Sequence, residues 1–214
     1  MAEREASNEQ ERQNYTYRQT VVLEELTPSG ARSGEYREVR DIIFSPEGER
    51  TERIDGQPRN LLRSLRMTAE DFRDIREVQP LLLTPDRLWI YETRYRGEET
   101  VDETDCWVLQ IRPRQILDGQ RLFDGLLWVN RLDYSIVRME GQAVPQILHT
   151  SRENLFPRFT TLRRAFEGKY WFPVHTHADD TLPFRSGAQR IRMTIRYENY
   201  QRFAAESTVR FEKK

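Results

Sequence analysis

The segment HTHADD, residues 175–180, holds the side chains of this sequence whose types and spacing could do chemistry. His175, His177 and Asp179 occupy alternate positions, and in an extended strand alternate side chains share one face with their Cα atoms roughly 6.6 Å apart. Two imidazoles and a carboxylate at that spacing could bind one zinc ion, and a catalytic site would also need an open coordination position. The same histidines also suit a half-buried strand in which they take the place of aromatic residues. Both interpretations remain open at this stage.

Motifs of other enzyme classes are missing from the sequence. It contains no G-x-S-x-G elbow, no Walker loop and no H-E-x-x-H pair. The single Cys106 excludes an internal disulfide, and no basic residue beside it would lower the pKa of its thiol. Acidic residues are abundant, but no two of them stand out as a glycosidase pair. The sequence therefore predicts a protein that is not an enzyme and that carries no cofactor.

Charge and hydropathy exclude two further classes of protein. The 34 basic and 35 acidic residues leave a net charge of -1, whereas nucleic-acid binders normally carry a basic excess or stripe. Only three of the basic residues are Lys, and the arginines are scattered among acids, which favours a solvated sheet face. No apolar run approaches the roughly 18 residues that cross a bilayer, so we expect neither a nucleic-acid partner nor a membrane span.

Alternation of apolar and polar residues is the main structural signal of the chain. In the segment around residue 108, Trp107, Leu109 and Ile111 point to one face and the residues between them point to the other. Similar segments recur from Tyr15 to a last strand at Val209 and Phe211, joined by turns such as 167–169. A hydrophobic content of 37% favours a sheet that is packed on one side only. We therefore expect an antiparallel sheet of about ten strands.

Residues 58–83 interrupt this strand pattern. Pro58 can begin a helix whose apolar stripe contains Leu61 and Leu65. Thr68 is typical of a helix N-cap, and the second helix that follows it carries Phe72 and ends before Pro80. The sequence thus predicts two helices inserted into an otherwise β-structured domain that spans residues 15–214.

The first 14 residues are polar. They carry no large apolar side chain beyond the initiating position, so we expect this segment to be helical or frayed and not to dock firmly. They also lack the hydrophobic stretch of a secretory signal.

The order of these parts resembles the outer-membrane lipoprotein-sorting family, the LolA/LolB-like proteins of the bacterial envelope. The likeness is carried by G-x-x-x-V-D-x-x-x-C-W-V-L at 97–109, LLWVN-x-x-D-Y-S-I-V-R at 126–138, and YWFP at 170–173. The resemblance implies a curved antiparallel half-barrel with the helical insertion as a lid over a concave face that holds acyl chains. It also implies a periplasmic protein whose signal peptide is absent from this sequence. No residue matches an arginine latch between lid and barrel.

The expected function is non-enzymatic binding of a hydrophobic ligand, an acyl chain, lipid or lipoprotein, in lipid or lipoprotein trafficking. Two alternatives remain: an envelope sensory or protein-interaction domain of the same fold, and a metal-dependent enzyme that uses His175, His177 and Asp179. Apolar periodicity reports burial, so each predicted ligand-binding residue is also compatible with an ordinary core position. The predicted ligand-binding residues are Tyr17, Val21, Leu23, Trp89, Tyr91, Trp107, Leu109, Ile111, Trp128 and Ile195 on the concave face, with Leu61, Leu65 and Phe72 on the lid.

Overall fold

Strands that bury every second side chain make up most of the chain. The computed structural model describes residues 1–45, 48–146, 148–149, 152–153, 155, 157–184 and 187–202. The strands are β1 (Tyr15–Leu26), β2 (Arg32–Phe44), β3 (Arg50–Ile54), β4 (Arg59–Asn60), β5 (Tyr91–Val101), β6 (Thr104–Pro113), β7 (Leu122–Asn130), β8 (Ile136–Val144), β9 (Leu148–His149), β10 (Arg152–Glu153), β11 (Phe159–Phe166), β12 (Tyr170–Phe184) and β13 (Gly187–Arg202). The helices are α1 (Ala2–Arg12), α2 (Ala69–Arg73), a π-helical turn (Asp74–Val78) and α3 (Pro85–Leu88).

Eleven of these strands form one open antiparallel sheet. Its order is β3-β2-β1-β13-β12-β11-β8-β7-β6-β5, and β4 pairs with β2 beside β3. The pairing of β1 with β13, in which Val21 lies opposite Ile195, brings the first and last described strands side by side. The mainly β, antiparallel architecture predicted from the sequence is confirmed, with eleven strands in the sheet instead of about ten. The predicted last strand at 209–211 lies outside the described residues.

The two faces of the sheet differ in burial. We call the face that carries Val21, Leu23, Ile111 and Ile195 the covered face, because these four side chains are fully buried in the main hydrophobic core. The opposite, outer face is mostly polar, and its apolar residues form a small separate cluster around Cys106 and its neighbours in β7 and β8. The predicted packing on one side of the sheet thus describes most of the molecule.

Residues 61–90, between β4 and β5, lie against the covered face, and we call them the cover. Thr68 caps α2 as predicted: its side chain accepts the Asp71 backbone N–H, while the Asp71 carboxylate accepts the Thr68 backbone N–H. The other predicted helix, beginning at Pro58, is wrong, because residues 59–60 are a strand and residues 61–68 are not helical. The Leu61 backbone N–H donates to the Glu35 carbonyl of β2, which extends this strand pairing and directs the chain away from a helix.

The expectation that residues 1–14 would not dock firmly is also wrong. They form the eleven-residue helix α1, in which Glu5 and Asn8 are fully buried. The sequence pattern missed this docking because it depends on polar groups: the Trp171 backbone N–H donates to the Asn8 side chain, and Glu5 pairs with Arg163. None of the described helices is long and apolar enough to cross a membrane.

Candidate ligand-binding face

The cover fills the space over the covered face with leucine, isoleucine and valine side chains. Leu83 is fully buried, and Ile75 and Val78 of the π-helical turn are buried in the same core as the sheet residues. A π-helical turn is wider than an α-helical one and often occurs at functional sites. The two apolar surfaces, one on the sheet and one on the cover, are complementary in this closed arrangement.

Most of the predicted ligand-binding residues meet at this interface. Seven are buried in the main core: Tyr17, Val21, Leu23, Leu65, Tyr91, Ile111 and Ile195. Phe72 of the cover and Leu109 of β6 are half-buried and pack against them. Strand alternation therefore assigned the sheet residues among them to one common surface.

The structure places the remaining four predicted residues elsewhere or at the margin. Trp89 is 72% exposed because it follows α3, and the strand in which the sequence placed it begins only at Tyr91. Leu61 is 52% exposed because it lies in the stretch that is not helical. Trp128 pairs with Val108 and lies on the outer face, where its indole N–H donates to the Glu99 carboxylate at 2.8 Å. These three placements correct the sequence-based assignment.

Trp107, the fourth of these residues, is half-buried near the β7–β8 hairpin. Its ring lies 5.7 Å from that of Tyr134, and the Arg131 guanidinium lies 5.9 Å from its centroid. Trp107 shares a face with Val129, its partner in β7, so it marks the margin of the covered face, away from the cover.

The first polar attachment of the cover is Glu25 of β1. Its buried carboxylate accepts the backbone N–H groups of Arg63, Ser64 and Leu65, at 2.9, 2.8 and 2.6 Å. Gly34 of β2 leaves the room for this arrangement, since a Cβ there would lie 2.3 Å from the Glu25 carboxylate oxygen. One carboxylate thus holds the start of the cover against the C-terminal end of β1.

Replacement of Glu25 by Ala is expected to release this end of the cover. Three backbone donors would lose a charged acceptor, which corresponds to about 2–3 kcal/mol of unfolding free energy. Hydrogen exchange of residues 61–66 should rise. The matched control is Glu24→Ala, because Glu24 lies next to it on the other face and forms only long, partly exposed ion pairs with Arg32 and Arg192. Equal exchange of residues 61–66 in both variants would contradict the attachment.

The second attachment joins the π-helical turn to the start of β7. The Arg121 guanidinium donates to both carboxylate oxygens of Asp74, and both side chains are almost completely buried. Arg121 also donates to the carbonyl of Pro145. Nearby, burial raises the pKa of Asp71 to about 6, against the opposing effect of hydrogen bonds from Thr68 and Leu155. Buried carboxylates therefore hold the middle of the cover.

The third attachment is centred on Arg163 of β11. Its guanidinium donates to both oxygens of Glu5 in α1, at 2.9 Å each, and to the backbone carbonyl of Leu81 in the cover. Close by, the Thr161 hydroxyl donates to the Gln79 carbonyl at 2.9 Å. Arg163 thus connects sheet, cover and N-terminal helix. The sequence analysis assigned it to the solvated face with the other arginines, although Phe159, Thr161 and Arg163 alternate in β11 and all three are buried.

A short row of polar side chains runs across the covered face beside Arg163. The hydroxyls of Thr161 and Thr176 lie 2.7 Å apart, and the Tyr197 hydroxyl lies 3.4 Å from that of Thr176. Burial raises the pKa of Tyr197 to about 12, so this phenol stays protonated near neutral pH. The covered face is therefore apolar with a polar strip beneath the cover.

The histidine cluster lies on the outer face. The rings of His175 and His177 are nearly parallel, with centroids 6.1 Å apart, as the alternation predicts. Asp179 is engaged elsewhere: although burial acts in the opposite direction, hydrogen bonds and charges from Arg192 and Arg190 lower its pKa. Within the part of the chain that the structure describes, no group of three or more His, Cys, Asp and Glu side chains could hold a metal ion.

His175 is expected to titrate below the ordinary histidine pKa of about 6.5. Burial, the neighbouring His177 and the Arg196 guanidinium all disfavour its charged form. Because its pKa is lowered in the folded state, the folded state binds this proton less readily than the unfolded chain, so acidification through pH 6.5 destabilises the fold. An NMR titration of the imidazole resonances checks this, and a His175 midpoint at or above that of free histidine would contradict it.

Cys106 is a packing residue of the outer-face cluster. Its side chain is fully buried, and its thiol lies 3.3 Å from the Thr104 carbonyl. Burial and the charge of Asp105 raise the pKa of the thiol to about 11. A protonated, buried thiol is a poor nucleophile, which agrees with the packing role predicted from the sequence.

Comparison with known proteins gives similarities of fold. No protein-family model matches the chain, and a search of curated proteins finds no similar sequence. Among solved structures, a DUF1329 family protein from Desulfovibrio piger is 14% identical, with a TM-score of 0.47, over 99% of this chain and 97% of that one. A LolA superfamily protein from Nitrosomonas europaea is 16% identical, with a TM-score of 0.39, over 97% of each chain.

A third solved structure also matches over nearly the whole chain. A putative outer membrane lipoprotein-sorting protein domain from Vibrio parahaemolyticus is 10% identical, with a TM-score of 0.39, over 97% of this chain and 96% of that one. The descriptions of these last two structures name the LolA superfamily and lipoprotein sorting, the group that the sequence resembles. At these identities and TM-scores, the neighbours say nothing about what this chain binds.

Proposed function

We propose that this protein is a non-enzymatic carrier or sensor of the bacterial envelope that binds the acyl chain of a lipid or lipoprotein on the covered face. The observation that supports it is the construction of the closed face. Its apolar sheet is covered by α1 and residues 61–90, which are not strands of the sheet and are attached through the polar contacts of Glu25, Arg121 and Arg163. The cover and α1 can therefore leave while the sheet stays intact.

Exchange of the cover for a ligand is close to balanced in free energy. Each buried methylene group contributes about 0.8 kcal/mol, so a chain of fourteen carbons gains on the order of 10 kcal/mol before ordering costs. The cover loses a comparable apolar contact when it leaves, and its leucines keep the face from water when no ligand is present. Binding therefore depends on how firmly the cover is held.

Competition between cover and ligand provides the test. In Leu83→Ser, a fully buried cover residue loses its apolar contact with the sheet, so the variant should bind the neutral probe N-phenyl-1-naphthylamine about tenfold more tightly than the unmodified chain. The matched control is Leu132→Ser, because Leu132 is 90% exposed at a hairpin tip. If Leu83 were an ordinary core residue with no role in covering a binding face, Leu83→Ser would bind the probe no more tightly than the unmodified chain. Absence of saturable probe uptake by all three proteins would overturn the proposal.

A second candidate function is recognition of a protein partner by strand addition, which the exposure of β5 favours. This eleven-residue strand forms one edge of the sheet, most of its side chains are exposed, and Tyr95 is 61% exposed. An edge of this kind can pair with a strand from another chain. Capture from envelope extract, with bound protein and bound lipid analysed together, separates the two functions. A protein captured by the unmodified chain and lost with Tyr95→Glu, without change in bound lipid, would favour the partner.

A further inference from the structure

Arg163 is a buried cation whose compensating anion comes from a separate helix. Its side chain and that of Glu5 are fully buried, and the carboxylate accepts two hydrogen bonds from one guanidinium nitrogen. A buried guanidinium without such a partner is strongly destabilising, so this position always requires an anion. Among the described residues, the Arg163 Nε and the Gln79 Oε1 have no hydrogen-bond partner although both are buried. The surroundings of Arg163 thus hold an unused donor and an unused acceptor.

The helix that supplies Glu5 is otherwise attached mainly through polar groups. The buried residues of α1 are Glu5 and Asn8, and Asn8 makes two long hydrogen bonds of 3.3 Å, one to Glu5 and one from Trp171. Arg4 adds a contact of 3.1 Å with the Ser135 hydroxyl. Because little apolar surface holds α1, the helix loses its buried charge pair when Glu5 leaves Arg163, and its remaining polar contacts can be exchanged for contacts with water.

We propose that Arg163 is the binding site for the carboxylate of a single-chain amphiphile, such as a fatty acid, and that Glu5 occupies this site in the closed state. This inference rests on the proposed function and names the class of ligand. The guanidinium lies at the junction of α1, the cover and the sheet, next to the Thr161 and Thr176 hydroxyls. A carboxylate bound there would place its alkyl chain along the covered face, in the space that Leu81 and Leu83 now fill.

The exchange conserves charge pairing. When a ligand carboxylate replaces Glu5, Arg163 remains paired and Glu5 moves into water, so neither state buries an uncompensated charge. A neutral lipid cannot make this substitution, because it would have to bind with Glu5 still in place. A carboxylate fits this site better than a phosphate. In the closed state one guanidinium is paired with one carboxylate, that of Glu5, so a planar group with a single negative charge is a direct replacement.

The test compares myristate with methyl myristate as competitors of bound N-phenyl-1-naphthylamine. Myristate should bind the unmodified chain about tenfold more tightly than the ester, and sodium acetate should not displace the probe. Glu5→Gln removes the competing anion, so it should raise the preference for myristate over the ester about tenfold again. Arg163→Met should lose the preference for the acid. The matched control is Arg164→Met, which changes the exposed neighbouring arginine and should keep the preference for the acid.

The outcomes separate the two proposals. Equal binding of acid and ester by the unmodified chain and by Glu5→Gln would overturn the anion site and leave hydrophobic binding intact. Displacement of the probe by neither compound would overturn the proposed function together with this inference. If circular dichroism shows that Arg163→Met does not fold, the test uses the ratio of the affinity for myristate to the affinity for methyl myristate. A higher ratio in Glu5→Gln than in the unmodified chain supports the site. An equal ratio in the two proteins overturns it.

Discussion

Replacement of Asp74 by Ala is expected to lower the free energy of unfolding by about 3–5 kcal/mol. Asp74 pairs with both Nε and an Nη of Arg121, and the side chains of the pair are almost completely buried. Without the carboxylate, Arg121 would remain buried with only the Pro145 carbonyl as acceptor. The loss is therefore mainly the penalty for an uncompensated buried charge. Urea unfolding followed by circular dichroism measures it.

Two further variants separate this effect from a general loss of side-chain contacts. Asp124→Ala breaks a pair with Arg112 that is 3.3 Å long and partly exposed, so it should change stability by less than about 1 kcal/mol. The double variant Asp74→Ala with Arg121→Met removes both charges and should be more stable than Asp74→Ala alone. A double variant less stable than the single one would contradict this explanation.

Replacement of Gly125 by Ala is expected to destabilise the sheet by about 3 kcal/mol. Gly125 in β7 lies opposite Gly141 in β8, and a Cβ on Gly125 would lie 2.2 Å from the Glu140 carbonyl oxygen and 2.6 Å from the Gly141 Cα. The fully buried ring of Phe123 packs over both glycines, with its Cζ 2.6 Å from either added Cβ. A methyl group there must displace backbone and ring together. Thermal or urea unfolding measures the loss.

Gly168→Ala is the control for this substitution. Gly168 has a positive φ of 66° in the β11–β12 turn, and no atom lies within 4 Å of the added Cβ. Only backbone strain of about 1 kcal/mol is expected. If Gly125→Ala proved no more destabilising than Gly168→Ala, the close approach of β7 and β8 at the glycine pair would be disproved.

Alternation in the strands was sufficient to predict most of the sheet, because burial on one face imposes a period of two. It identified β13 from Ile191, Met193 and Ile195, and it identified the hairpin between β11 and β12 from the Glu167-Gly168-Lys169 turn. Trp128 and Trp89 were misplaced for different reasons. Trp128 lies in an apolar run that gives no alternation, and Trp89 precedes a strand whose start no residue type marks.

The polar attachments of the cover were not predictable from local patterns. Glu25 lies about forty residues from its three backbone donors, and Glu5 lies 158 residues from Arg163. Neither partner identifies the other in the sequence, since the pairing exists only after the sheet brings β11 under α1. One signal was available: Arg163 occupies an inward position of β11, where an arginine requires a buried partner. No comparable feature of the sequence indicated that α1 would dock through its polar side chains.

Hydrogen exchange measured with bound myristate tests the central claim, that a ligand replaces the cover on the covered face, most directly. Saturating myristate should increase deuterium uptake in α1 and in the cover, residues 61–90, and leave β1 and β13 as protected as before. That pattern would place the ligand on the sheet face with the cover displaced. Bound myristate with unchanged or stronger protection of residues 61–90 would contradict the account.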